Sequence, residues 1–258
     1  MKQEEASMIR IYKTKDYDAM SKKAGEFIAA QVTIKPRCVL GLATGTTPIG
    51  AYNYLREQYE AGNLSFREVQ TVNLDEYVGL PGEDPNSYRY FMNTYLFDHV
   101  DIDKDDTHVE NGMAKDLEIE CQEYEMLIRD MGGVDLQLLG IGNNGHIGFC
   151  EPAEAFSRFT HLENLTDSTI EANSRLFDSK DQVPTRALTM GIGTILRAKR
   201  ILLIATGAAK QDAMRDSFFG PITPKMPASA LQLHPDVTVI ADEEALAKCK
   251  TTGELTVV

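Results

Sequence analysis

Arg37-Cys38-Val39-Leu40-Gly41-Leu42-Ala43 runs straight into Thr44-Gly45-Thr46-Thr47-Pro48, and the reading of this stretch decides the fold class. From Cys38 to Ala43 the run is apolar without alternation, the mark of a strand buried on both faces, as in parallel sheets covered by helices. The next five turn the chain into a helix with Tyr52, Leu55 and Tyr59 on one face. Thr47 is placed to cap that helix, and Pro48 suits its first position, where an N–H has no helical partner. Upstream, the pattern predicts a helix over about Asp16–Val32, stopped by Lys35-Pro36. Downstream, Val69–Leu74, Val134–Ile141, Ala187–Met190, Lys199–Ala205 and Val237–Ala241 read as further strands. Asp84-Pro85-Asn86-Ser87 opens a helix through about Phe97. Leu117, Cys121, Tyr124, Ile128 and Met131 form the stripe of another, and a last helix is read over Asp242–Lys250. Strands alternating with helices, without repeat or linker, predict an α/β protein: a single-domain, Rossmann-like, open and mostly parallel sheet with helices on both faces, spanning 1–258. The polar stretch of about 151–186 has weak periodicity and reads as a mobile cover over a site.

The charge balance narrows the partners. Of 258 residues, 26 are Lys or Arg and 39 are Asp or Glu, a net charge of −13. Nonspecific binding to DNA, RNA or anionic lipid is therefore disfavoured, and an anionic substrate must be met by local cations or backbone amides. No run approaches the roughly 20 apolar residues of a membrane helix. The opening Met1-Lys2-Gln3-Glu4-Glu5 resembles neither a secretory signal nor a transit peptide. Cys38, Cys121, Cys150 and Cys249 form no Cys-x-x-Cys pair, so a cytoplasmic protein with reduced thiols is expected. His99, His108, His146, His161 and His234 show no metal-ligand spacing, and no metal is expected.

Several segments carry chemistry. Thr44-Gly45-Thr46-Thr47 joins a buried strand to a helix N-terminus, where free N–H groups can hold an anion. It lacks the Gly-Lys-Ser/Thr ending of a Walker loop, and a plain tight turn explains it nearly as well. Ala205-Thr206-Gly207-Ala208-Ala209-Lys210 forms a second such junction, with a lysine in the first helical turn. Two anion-friendly junctions in one sheet favour a phosphate group. Asp75 and Glu76 end a strand, where consecutive side chains point opposite ways, so at most one faces a shared pocket. A desolvated carboxylate there can serve as a proton-transfer base; a loop cap for Gly79-Leu80-Pro81-Gly82 is the blander reading. Asn143-Asn144-Gly145-His146-Ile147-Gly148-Phe149-Cys150-Glu151-Pro152 sets a histidine and a carboxylate five residues apart, fit for an oriented imidazole base. Cys150 reads as a packed thiol. Arg175 is either a solvated helix cation or a substrate clamp.

Taken together, these motifs, with Asn73-Leu74-Asp75-Glu76-Tyr77-Val78-Gly79-Leu80, Ala187–Thr194 and Leu231–Pro235, resemble the glucosamine-6-phosphate deaminase family from about Leu40 to Ala241. The resemblance implies conversion of glucosamine 6-phosphate and water to fructose 6-phosphate and ammonia, an isomerising deaminase of the hydrolase class, in amino-sugar catabolism, without metal or organic cofactor. By position, it makes Asp75 the base between C2 and C1 and His146 the ring-opening group, oriented by Glu151. Thr44, Gly45, Thr46, Thr47 and Lys210 would hold the phosphate, and Arg175 would reach the substrate. Many members have aspartate at the position of Asn144, which would keep a hydrogen-bonding role. Thr46 replaces a glycine and needs a backbone that a β-branched residue accepts. The activated hexameric members bind N-acetylglucosamine 6-phosphate through basic residues aligned with His161 and Glu163. A carboxylate at 163 would repel that phosphate, so allosteric activation is not expected, although the reading leaves room for a homo-oligomer. The rivals are a 6-phosphogluconolactonase-like hydrolase on the same architecture and a non-catalytic sugar-phosphate sensor. The sensor is disfavoured because about 35 residues precede the first predicted strand without a basic recognition helix.

Overall fold

The computed structural model describes residues 8–174, 177, 179–249 and 256–257. In chain order these give β1 (Met8–Thr14), α1 (Tyr17–Ile34), β2 (Val39–Leu42), α2 (Ile49–Glu60), β3 (Gln70–Asn73), β4 (Asp75–Tyr77), α3 (Tyr88–Tyr95), β5 (Thr107–His108), α4 (Leu117–Asp130) and β6 (Leu136–Leu139). There follow β7 (His161–Asn164), α5 (Asp167–Ser174), β8 (Arg186–Thr189), α6 (Ile192–Ile195), β9 (Ile201–Ala205), α7 (Gln211–Phe219), β10 (Asp236–Asp242) and β11 (Thr256–Val257). Eight strands form the main sheet in the order β11-β1-β10-β9-β6-β2-β3-β5, and every pairing is parallel. The expected mostly parallel α/β sheet is therefore present. Every residue of β2, β6 and β9 is buried, as continuous apolar runs require when helices cover both faces. From β2 the chain moves outward to β3 and later returns to β6 on the other side. That reversal makes the carboxyl ends of β2 and β6 a crevice for ligands.

Four sequence expectations need correction. The sheet's first strand is β1, not the run at Val39; it lies parallel to β10 and alternates buried Ile9 and Ile11 with polar Arg10. The argument from about 35 strandless residues therefore falls. Asp75-Glu76-Tyr77 and the strand near Ala187 do not extend the parallel sheet. They pair antiparallel, Asp75 with Thr189, in a second sheet of order β4-β8-β7. Thr47 does not cap α2: Pro48, already helical (φ −78°, ψ −10°), holds the cap position without a side-chain hydrogen bond of its own. Finally, the residues after β10 form turns rather than a helix. Asp242 accepts the Ala245 N–H at 2.8 Å and also the Gly207 N–H, so its side chain serves two loops at once. No helix among the described residues is long and apolar enough to cross a membrane.

α1 matches its expected span, and the Asp16 carboxylate caps it by accepting the Ala19 N–H at 2.9 Å. Ser87 does the same for α3, accepting from Tyr90 at 3.1 Å. On α4, Cys121, Tyr124 and Ile128 of the predicted stripe are buried. The stretch of about 151–186 contains β7 and α5, and β7 pairs with β8.

Candidate active site

Asp75 stands where the chain leaves the main sheet for the small one. Leu74 still donates to Leu42 O (3.1 Å), continuing the β2–β3 ladder, while its own carbonyl accepts from Met190 N (2.8 Å). The next residue is thus placed by both sheets. Asp75 is 6% exposed, and burial, reinforced by the neighbouring Glu76 charge, pushes its carboxyl up to about 8. Glu76 points the other way, as strand alternation requires. Its carboxylate accepts the N–H groups of Tyr77 (2.8 Å), Tyr88 (2.9 Å) and Arg89 (2.9 Å), satisfying the free amides at the start of α3. Of two adjacent acids, one anchors a helix and one has no hydrogen-bond partner fixing it.

The histidine loop follows β6. Gly142 N donates to His146 O (2.8 Å) and Gly145 N to Gly142 O (3.0 Å), closing a tight turn. A side chain at 142 would displace the imidazole, because a Cβ would stand 2.4 Å from the His146 ring. Glu151 then divides its two oxygens. Oε2 lies 3.6 Å from His146 Nδ1 and accepts from Asn144 Nδ2 at 2.8 Å. Oε1 accepts from the Thr169 hydroxyl, with Thr166 Oγ1 at 3.2 Å. Burial opposes the charge on Glu151, but His146 and the Thr169 and Asn144 donors outweigh it and bring the carboxyl down to about 2. The same loop passes over Asp75: a Cβ on Gly148 would lie 3.5 Å from Asp75 Oδ2. The loop that carries Asn144, His146 and Glu151 thus packs on Asp75 through Gly148, and the Asp75 and Glu151 carboxyls are shifted in opposite directions.

On either side of this loop, by strand order, rise the two predicted anion junctions, one after β2 and one after β9. In the first, Gly45 takes the left-handed backbone (φ 99°), and no described non-glycine residue has positive φ. Thr46 therefore avoids strain because its neighbour turns the chain. Tyr17, from the first turn of α1, ties this loop down: its hydroxyl accepts the Gly50 N–H (2.9 Å) and donates to Thr46 O (3.2 Å). In the second, Gly207 (φ 87°) precedes a short 3-10 turn, Ala208–Lys210, that leads into α7 with Lys210 half-buried. Arg175 lies outside the described residues.

Four participants were not foreseen. Tyr17 and Asp242 act on loops far from them in sequence, and Thr169 reaches Glu151 from α5. Glu110 is the fourth, 2% exposed, with neither carboxylate oxygen hydrogen-bonded. Burial first, then the nearby Asp75, raises its carboxyl well above the ordinary carboxylate range. Capping and alternation patterns do not register such long-range partners. Among the described residues, no three His, Cys, Asp or Glu side chains are grouped to hold a metal ion.

Known proteins resemble this chain in sequence and fold. The sequence pattern of the family described as Glucosamine-6-phosphate isomerases/6-phosphogluconolactonase matches residues 14–240. A glucosamine-6-phosphate deaminase of Lachnoclostridium phytofermentans is 53% identical over 232 residues, 90% of this chain and 98% of that one. One from Clostridioides difficile is 52% identical over 240 residues, 93% of this chain and 96% of that one. A solved structure described as a monomeric glucosamine-6-phosphate deaminase superposes with a TM-score of 0.90 at 49% identity, covering 93% of this chain and 99% of that one. The 6-phosphogluconolactonase of Leishmania guyanensis gives a TM-score of 0.72 at 20% identity, covering 94% and 99%, a likeness of fold alone.

Proposed function

The chain belongs to the family of glucosamine-6-phosphate isomerases and 6-phosphogluconolactonases, and within it we propose that this protein converts glucosamine 6-phosphate and water to fructose 6-phosphate and ammonia. The reaction is an isomerising deamination, and the broader hydrolase label read from the sequence is not retained. The lactonase reading is not favoured, because the close relatives are deaminases and the lactonase likeness stays at 20% identity.

The observation that carries the mechanistic reading is the pair of carboxyls tuned apart, Asp75 up to about 8 and Glu151 down to about 2. Environments that split two acids in this way divide acid–base roles between them. A closed pyranose has no carbonyl to acidify C2–H, so ring opening comes first. His146 exchanges a proton with the ring oxygen through Nε2, while the Glu151 carboxylate, 3.6 Å from Nδ1, balances the imidazolium charge. Asn144 holds Glu151 in line. Asp75 then takes the C2 proton while one ammonium proton passes to O1, giving the enolamine, and returns its proton to C1. Only its ionised form does this, and the substrate's own ammonium group lowers the cost of that ionisation. The product is an iminium at C2, which water converts to the ketone with release of ammonia.

The phosphate is assigned to the N–H groups and hydroxyls of Thr44, Gly45, Thr46 and Thr47, with Lys210 across β6 and Arg175 as a further cation. These local donors must overcome the −13 field of the whole chain. The test is a coupled assay for fructose 6-phosphate and ammonia, run beside lactone hydrolysis, on the wild type and Asp75→Asn. The variant should lose at least about 10²–10⁴-fold in turnover; undiminished turnover would remove Asp75 as the base.

A further inference from the structure

Resting on the roles just given to His146 and Glu151, we infer that Thr169 is a positioning residue for ring opening, holding Glu151 so that one carboxylate oxygen alone faces the imidazole. Thr169 is buried, at 4% exposure, in the first turn of α5, on a segment that shares no strand or turn with the histidine loop. A threonine in that setting ordinarily bonds back to its own helix or faces water. This hydroxyl instead donates to Glu151 Oε1. Thr166 supports it from the turn before, with Oγ1 3.2 Å from both Glu151 Oε1 and Thr169 Oγ1.

The consequence is geometric. A carboxylate free to rotate offers either oxygen to a neighbouring imidazole and samples orientations that serve neither. Here Oε1 is engaged by α5, and Asn144 Nδ2 meets Oε2 at 2.8 Å, so the plane of the group is fixed at both ends. Oε2 is left 3.6 Å from His146 Nδ1, facing the imidazole. Among the described residues, the titratable groups set against Glu151 include His146 on its own loop, and Glu163 of β7 and the Cys150 thiol, which line one small cavity with it. The hydrogen bonds to Oε1 come from the Thr169 and Thr166 hydroxyls.

Thr169→Val keeps the shape and removes the hydroxyl; Thr169→Ser keeps the hydroxyl. With folding verified by thermal melting, Thr169→Val should lower kcat about tenfold or more, the worth of a hydrogen bond to a charged group, with KM within about twofold of wild type. Thr169→Ser should retain kcat within about threefold. In the ligand-free protein, the Glu151 carboxyl followed by carbon-13 NMR should titrate about one pH unit higher in Thr169→Val. Unchanged kcat in Thr169→Val, an equal loss in Thr169→Ser, or a loss confined to KM each overturns the inference. If the wild type releases no ammonia from glucosamine 6-phosphate, the functional reading fails by itself. The Glu151 titration still decides the positioning claim, and an unmoved midpoint rejects it.

Discussion

At the scale of single residues, Asp75 and Glu76 show how neighbouring acids acquire separate fates. Glu76 receives three backbone N–H groups, whereas Asp75 is buried without a donor and rises to about 8. Two predictions follow from that value. Since only the carboxylate abstracts a proton, kcat/KM for glucosamine 6-phosphate should climb about tenfold per pH unit on the acid side and level off near pH 8. A profile flat from pH 6 to 8 would count against Asp75 as the base. Stability should run the opposite way. With its folded value raised from 3.8 to about 8, Asp75 stays protonated in the folded chain while the unfolded chain ionises, so its contribution to stability falls as pH rises through that window. Asp75→Asn should therefore melt at the same temperature as wild type near pH 4 and above it at pH 8, the advantage growing by about 1 kcal/mol per pH unit at most. That strand neighbours face apart was legible in the sequence; which acid would meet the start of α3 was not, because α3 begins a loop later.

At the scale of elements, the buried strands and capped helices were readable because their signals are local. Continuous apolar runs gave β2, β6 and β9, while Asp16 and Ser87 marked helix starts by the amides they accept. The misreadings share one cause, a distant partner overriding a local preference. The polar–apolar alternation of β1 has meaning only beside β10. After Asp242 the chain forms turns, and the Asp242 side chain holds both the Ala245 N–H and the loop at Gly207. Tyr17 replaces Thr47 at the start of α2 in the same manner. Because its hydroxyl joins Gly50 N–H to Thr46 O, Tyr17→Phe should loosen the phosphate loop. We expect KM for glucosamine 6-phosphate to rise about fivefold with kcat nearly constant, since one neutral hydrogen-bonding group is worth about 1 kcal/mol. A loss in kcat alone, measured by steady-state kinetics, would place Tyr17 elsewhere in the cycle.

For the whole molecule, the question is whether one chain suffices. His161 Nε2 lies 3.2 Å from Glu163 Oε2, an internal pair at the positions where the sequence reading placed an activator's phosphate. Burial lowers the histidine's affinity for a proton, but Glu163 and the Phe159 carbonyl prevail and raise its pKa, so any charge gained there is answered by Glu163 within the chain. Initial rates should therefore be hyperbolic in substrate, and millimolar N-acetylglucosamine 6-phosphate should leave the half-saturation point within about twofold; sigmoidal rates relieved by that ligand would contradict it.

One feature of the main sheet has a bearing on how the protein is made. β1 lies between β10 and β11, with Met8 opposite Asp236. β1 thus has no strand to pair with in this sheet until β10, which follows nearly every other element in chain order, has been made. Until then both of its edges lack a partner strand, so the pairing of β1 is a late step in closing the sheet.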